Sequence, residues 1–345
     1  MNEIKEHIKN LPNSYGDNTN KSIRGCLNSG GSCILKNDKT VINYYYHLKH
    51  TIRKQRKPTS CLNLFLRRFL LFYFFLIIAI CLHAQITVCS WNLENFGKSK
   101  TNSAIEFIAN TVKDYDIVAI QEVVAEDPGG ARAVARLNEA LNRKGFKWDY
   151  RVSDITSSEN PDRRERYAFL WKTSKVKLTG KAWLEVKYNV EIDREPFLAT
   201  FMYNNKEFTL VDFHAIPKAK QPETEIKYFK FLPGEYPDKD LIFCGDFNCP
   251  QSHTVFNPLK AMGYKPILVD QKTSLKEKCV NNNCLASEYD NMFYNTSKIK
   301  YIKSGVIPFF QNFNDDLKEA RKVSDHAPIY FEFILNQMQP DRLSL

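Results

Sequence analysis

Four short segments, far apart in the chain, each border an apolar run of β type and carry acid–amide or acid–histidine groups. They are Ser90-Trp91-Asn92-Leu93-Glu94-Asn95, Gln121-Glu122-Val123, Gly245-Asp246-Phe247-Asn248 and Ser324-Asp325-His326-Ala327-Pro328. His214 closes a further strand-like run between the second and the third. Polar groups gathered at the ends of several buried strands can meet only where a sheet scaffold brings those ends to one rim.

The rest of the pattern agrees with a sheet scaffold. Ile86–Ser90, Asp116–Gln121, Lys147–Val152, Arg166–Trp171, Leu178–Val186, Phe197–Tyr203, Phe208–Asp212 and Leu241–Cys244 read as strands, as do Asp290–Tyr294, Lys298–Ser304 and Ile329–Leu335. Ala104, Ile105, Ile108 and Val112 recur at helical spacing and predict a helix over 102–113. Val134, Leu137 and Leu141 predict a second over 131–143, after the break at Asp127-Pro128-Gly129-Gly130. Short helices are expected over Glu223–Phe231, stopped by Pro233-Gly234, and over 253–262, ending at Gly263. Many strands with few helices fit one domain over 85–345, built as two packed sheets with outer helices.

Net charge is +10, which by itself would invite a nucleic-acid reading. Residues 1–84 hold 13 Lys/Arg against 4 Asp/Glu, so the leader carries +9 of that balance. Any attraction for phosphate in the folded part has to be local. Within the leader, Arg67 and Arg68 precede an apolar run from Phe69 to Leu82, followed by His83-Ala84-Gln85. Residues 67–84 thus read as an export signal, which sends the protein to the periplasm or the medium. The alternatives are an uncleaved anchor over 69–82 and a buried helix, although a membrane span needs about 20 apolar residues. Residues 1–66 are polar, Asn/Lys-rich and aperiodic, and read as a disordered basic extension or as sequence upstream of the true start.

Nine cysteines are present, and Cys89, Cys244, Cys249, Cys279 and Cys284 follow the leader. Cys279 and Cys284 could close a small loop in an oxidising compartment, with Cys249 a rival partner for either. Cys89 and Cys244 sit in apolar strands as small buried residues. No spacing suggests zinc.

Glu122, Asp246 and Asp325 are hard oxygen donors of the kind magnesium or calcium takes. His214 and His326 are suited to proton transfer near neutral pH. Together they meet the needs of phosphodiester cleavage: charge stabilisation, an activated water and a protonated leaving oxygen. Blander readings stand beside this one. Asp246-x-Asn248 and Asp290 also fit ordinary turn residues, and Glu165 with Arg194 also fits a structural ion pair.

Taken together, the segments resemble the endonuclease/exonuclease/phosphatase superfamily and, within it, the deoxyribonuclease I-like branch. The superfamily share lies in Trp91-Asn92, Gln121-Glu122, Gly245-Asp246-Phe247-Asn248 and Ser324-Asp325-His326. The narrower share lies in Arg164-Glu165-Arg166-Tyr167-Ala168-Phe169, Arg194-Glu195-Pro196, His214-Ala215-Ile216-Pro217 and Tyr289-Asp290. The resemblance implies an α+β fold, a four-layer α/β/β/α sandwich of two mixed sheets flanked by helices. It implies that Glu122 binds a divalent ion, Mg2+ with Mn2+ or Ca2+ as substitutes, supported by Asn92 and Asp325. It implies that His214 and His326 are an acid–base pair oriented by Glu165 and Asp290. Asp246 and Asn248 would position metal, water or phosphate, and Arg194 and Asn92 would contact a substrate phosphate. The implied substrate is DNA, duplex and with little sequence preference; no protein partner can be inferred.

The chain departs from that branch at three places. Val124 stands where the branch has an arginine two residues after the metal glutamate. Arg163 stands where it has a tyrosine, and Glu94 where it has an arginine two residues after the first asparagine. The missing groups are those that grip the DNA groove and backbone; Arg163 and Arg164 offer phosphate contacts in exchange. Glu94 and Val124 therefore favour a second expectation, a phosphodiesterase or phosphatase acting on lipid head groups or other small phosphate esters. A non-catalytic binding module on the same fold is the weakest expectation, because the acids and histidines are all present.

Overall fold

The structure, a computed structural model, describes residues 68–73 and 85–336 apart from 127, 282 and 315. The expected extension over 1–66 lies outside the described residues, as does all of the expected leader but 68–73. Those six residues are helical, with Phe69 to Tyr73 exposed, and belong to a separate compact unit. Among the described residues no helix is long and apolar enough to cross a membrane. The strands and all four polar segments belong to the other unit, Ala79–Leu345.

Its first sheet contains β1 (Ile86–Phe96), β2 (Ile117–Val124), β3 (Trp148–Val152), β4 (Glu165–Lys172), β13 (Ile299–Val306) and β14 (Ile329–Leu335), in the order β13-β14-β1-β2-β4-β3. The second contains β5 (Lys177–Leu184), β6 (Phe197–Tyr203), β7 (Lys206–His214), β8 (Leu241–Asp246), β9 (Tyr264–Pro266) and β12 (Asp290–Asn295), in the order β5-β6-β7-β8-β12-β9. Each sheet has one parallel pair, β1 with β2 and β7 with β8, and is antiparallel elsewhere. Helix α1 (Asn102–Val112) makes the first parallel crossover. The second runs through α3 (Glu223–Ile226) and α4 (Leu232–Glu235). Helix α2 (Gly129–Asn142) links β2 to β3 and lies beside α1, while α5 (Asn257–Ala261) and α6 (Leu317–Ala320) are single turns.

Alternation along the strands builds the layers. Val88, Ile117, Ala119, Phe169 and Phe331 face inward and meet Ala199, Phe201, Phe208, Leu210, Ile242 and Met292 of the other sheet. Cys89, Trp91, Val118 and Ile120 face outward onto Ile105, Ile108, Val134 and Leu137 of α1 and α2. Val211, Phe213 and Phe243 face outward onto Phe229, Leu232 and Leu259. Three apolar seams between four layers give the expected α/β/β/α sandwich.

Several local expectations change. Pro233 does not stop a helix. It occupies the first turn of α4, where its missing N–H is no loss. The 253–262 helix is a 3-10 turn, Thr254–Phe256, followed by the single turn α5. A hairpin of β10 (Leu275–Val280) and β11 (Asn283–Leu285) gives no strand signal in the sequence because it is short and mostly polar, with only Leu275 and Cys284 buried. Cys279 and Cys284 join across its turn, and Cys249 is free and buried, as are Cys89 and Cys244.

Gly245 is dictated by backbone geometry. Its φ is +128°, and a Cβ there would sit 2.0 Å from the Phe213 carbonyl oxygen on the neighbouring parallel strand. Gly245→Ala should therefore destabilise the domain by at least about 2 kcal/mol in urea unfolding. An unchanged midpoint would show that β7 and β8 are not this close.

Candidate active site

The carboxyl ends of the two parallel pairs reach one rim. Asn92 and Gln121 are register partners on β1 and β2, and His214 and Asp246 are partners on β7 and β8. Between the two sheets the apolar interior gives way to polar groups at this end.

Glu122 reaches the rim through an irregularity in the β2–β4 ladder between Ile120 and Val123. It adopts a left-handed φ of +58°, uncommon for a residue with a side chain, and the kink re-aims it. Asn92 Nδ2 donates to Glu122 Oε1 at 2.9 Å and to Asp246 Oδ2 at 3.2 Å, so one amide ties two acids of opposite sheets. Asn248, also left-handed, donates from its backbone to Asp246 Oδ1 and from its side chain to the Ala215 carbonyl.

Each histidine has a buried carboxylate at Nδ1. Glu165 Oε2 lies 2.9 Å from His214 Nδ1, and Asp290 Oδ2 lies 2.7 Å from His326 Nδ1. That leaves both Nε2 atoms turned toward one oxygen, Asp246 Oδ2, at 3.6 Å from His214 and 3.5 Å from His326. His214 Nε2 is also 3.8 Å from Glu122 Oε1. The Trp91 indole donates to the His326 carbonyl at 2.7 Å, and the Ser324 hydroxyl donates to the Asn92 carbonyl, so the last motif is stitched to the first.

Burial alone would lower the pKa of either ring, and Arg194 lowers that of His214 further. Glu165 and Asp246 outweigh these effects at His214, as Asp290 and Asp246 do at His326, so both rings titrate above the ordinary histidine value. Burial pushes Asp246 up, but the two imidazoles and its hydrogen-bond donors bring it below the ordinary range. Glu165 follows the same pattern, with burial overcome by His214 and Arg194.

Two of the sequence-derived placements change in detail. Arg194 is 5% exposed, and its Nη1 bonds Glu165 Oε2 at 3.0 Å while Nη2 bonds the Ala215 carbonyl. The guanidinium is thus turned onto the Glu165–His214 pair rather than left open for a phosphate. Asp325 pairs with Arg321 Nη2 at 3.6 Å, while Glu122 and Asn92 meet without it. Among the described residues, one His/carboxylate group has all candidate ligand atoms within 4.8 Å of one another, namely Asp246, Asp290 and His326. Its Asp290–His326 contact is already a hydrogen bond, so it reads as an oriented imidazole beside an acid.

The donor set nonetheless suits a hard divalent cation. Glu94, Glu122 and Asp325 crowd one mouth above the buried Asp246, and Glu94 responds. Burial, then Asp325, then Glu122 push its carboxyl up, with Lys100 opposing. Lys100 carries no signal in the sequence. It is 6% exposed and donates to the Val323 carbonyl at 2.7 Å, bracing the Ser324–His326 turn. Tyr289 stacks on the His326 ring at 6.4 Å, a contact its place next to Asp290 could have suggested.

Residues 89–326 match the Endonuclease/Exonuclease/phosphatase family. A deoxyribonuclease of Thioalkalivibrio sp. is 27% identical over 270 residues, 72% of this chain and 71% of that protein. Human deoxyribonuclease gamma is 26% identical over 284 residues, 74% of this chain and 89% of its own length. Among solved structures, a mannosyl-6-phosphatase of Bacteroides thetaiotaomicron shares the fold, with a TM-score of 0.53 and 20% identity, over 72% of this chain and 99% of its own.

Removing one partner of a buried ion pair strands the other. Arg194→Met should cost about 3–5 kcal/mol in urea unfolding. Glu165 titrates below the ordinary glutamate value, so its stabilising effect is present above that value and is lost as pH falls through the lowered one. In Arg194→Met this acid loss should begin at higher pH, read from unfolding midpoints across a pH series.

Proposed function

The chain belongs to the endonuclease/exonuclease/phosphatase family, and from that premise we propose that it is an exported, divalent-metal-dependent endonuclease that hydrolyses phosphodiester bonds in DNA. The observation that carries this reading is the convergence of both imidazole Nε2 atoms on one Asp246 oxygen. The deoxyribonuclease names of the relatives, at about a quarter identity, support the choice of DNA.

A bound divalent ion would stabilise negative charge on the phosphoryl oxygens. Glu122 and Asn92 would hold it, with Asp246 beside them and Asp325 turning to it from Arg321, and Mg2+ suits such oxygen donors. The protein's own groups do the rest. Glu165 and Asp290 fix the Nδ1 proton of each ring and leave Nε2 to exchange a proton with the substrate side. One ring takes the proton of the attacking water and the other gives one to the leaving oxygen. Arg194 holds Glu165 in place, and Asn248 fixes Asp246.

Export is supported by the charged, apolar leader and by the Cys279–Cys284 disulfide, which suits an oxidising compartment. A second reading, hydrolysis of lipid head groups or other small phosphate esters, is favoured by one observation. Glu94 adds a carboxylate to the mouth where a DNA-gripping arginine would help.

The protein beginning at Gln85 should nick supercoiled plasmid with Mg2+, and chelator should abolish the nicking. His214→Ala and His326→Ala should each lower the rate by at least about 10²-fold. Full nicking by both variants would overturn the roles given to the imidazoles. Turnover of sphingomyelin in preference to duplex DNA would favour the second reading.

A further inference from the structure

One layer beneath the catalytic groups lies a second polar layer that the proposed hydrolysis does not use. Gln121 on β2 donates from Nε2 to Ser90 Oγ on β1 at 3.1 Å and, across the gap between the sheets, to Asp212 Oδ1 on β7. Gln121 and Asp212 are wholly buried, and Ser90 is 1% exposed. Each precedes a rim residue on the same strand. Ser90 stands two before Asn92, Gln121 one before Glu122, and Asp212 two before His214.

The layer lacks a donor. Gln121 Oε1 and Asp212 Oδ2 are both buried without a hydrogen-bond partner. With Asp212 ionised, two acceptor oxygens would sit in the interior unsatisfied, a desolvation cost that nothing offsets. A proton on Oδ2 makes that oxygen a donor, and the neighbouring Gln121 Oε1 is an acceptor lacking one. Turning the Gln121 amide over does not remove the need, since it would take from Asp212 its side-chain donor. The titratable groups around Asp212 are Glu165 and Tyr167 on β4, Cys244 on β8 and His214 on its own strand. Burial drives the Asp212 carboxyl well above the ordinary range, and the Gln121 bond, the His214 ring and the Phe213 amide do not offset it.

We propose that Asp212 is held as the neutral acid and forms with Gln121 a proton-locked pair that bolts the two sheets together under the active site. Asp212 is thereby a positioning residue, setting the separation of Glu122 and Asn92 from His214. The positioning half rests on the nuclease reading; the protonation half does not.

The test compares the wild type with Asp212→Asn and Asp212→Ala. An asparagine can replace a neutral acid because its amide donates where the acid hydroxyl does. The unfolded wild type ionises Asp212 near pH 4, whereas the folded state keeps the proton. The stabilising contribution of the acid is therefore full below that pH and is lost as pH rises toward the folded value. The melting-temperature difference should accordingly move in favour of Asp212→Asn between about pH 4 and pH 7. Infrared difference spectra at neutral pH should show a protonated-carboxyl band that Asp212→Asn removes. With plasmid as substrate, Asp212→Ala should lose at least about tenfold in kcat with KM little changed, and Asp212→Asn should recover most of it. A stability difference moving toward the wild type with rising pH would overturn the neutral acid, as would the absence of the band or an asparagine variant that fails to fold. Equal kcat in the alanine variant and the wild type would overturn the positioning role. Lack of DNA cleavage by the wild type itself would remove the nuclease reading while leaving the stability and infrared results decisive for the proton.

Discussion

The centre of the rim depends on two parallel strand pairs, one in each sheet. Antiparallel neighbours send their carboxyl ends in opposite directions, whereas a parallel pair delivers both to the same edge. The β1–β2 pair presents Asn92 and Glu122, and the β7–β8 pair presents His214 and Asp246. Packing the sheets face to face through Phe169, Phe201, Phe208 and Phe331 sets these edges opposite each other. The close approach of Gly245 to Phe213 keeps the second pair tight enough for His214 and Asp246 to share a rim.

The electrostatics follow from that packing. Carboxylates from both sheets are pressed into a small volume, and the protein answers in three ways. Two of the acids, Glu165 and Asp290, are paired with imidazoles, and Glu165 has Arg194 as well. Asp246 accepts hydrogen bonds from Asn92 and Asn248 and has both imidazoles within 3.6 Å. Glu122, Glu94 and Asp325 remain toward the mouth, where a cation is the natural counter-charge. The same crowding explains why Arg194 is drawn inward to Glu165.

Much of this is legible in the sequence because period-2 patterning marks strands and because the site groups sit at strand ends. The alternation of Ile86 and Val88 with Cys89 and Trp91 already separates the inner seam from the outer one. The site residues are readable as motifs, and the family resemblance supplies the Glu165–His214 and Asp290–His326 pairs, but the distant braces of the site are not legible. Lys100 reaches carbonyls more than 220 residues away, and Trp91 reaches one at a separation of 235. No local pattern encodes such contacts. The β10–β11 hairpin escapes notice for the opposite reason, since its residues are too polar and too few to show a period. Asp212 reads as the end of a strand, and nothing in its neighbours announces that it will face Gln121 of the other sheet.

The first and last motifs of the domain close on each other. β14 is wedged between β13 and β1, and the turn that carries His326 enters it directly. Trp91, near the start of the domain, holds that turn through its indole. The segment that carries His326 and the segment that carries Asn92 are thus braced against each other, through the indole and through the Ser324 hydroxyl on the Asn92 carbonyl. Loss of β14 and its turn would therefore open the rim from both sides at once, taking away the His326 ring and the carbonyl that holds the Trp91 indole.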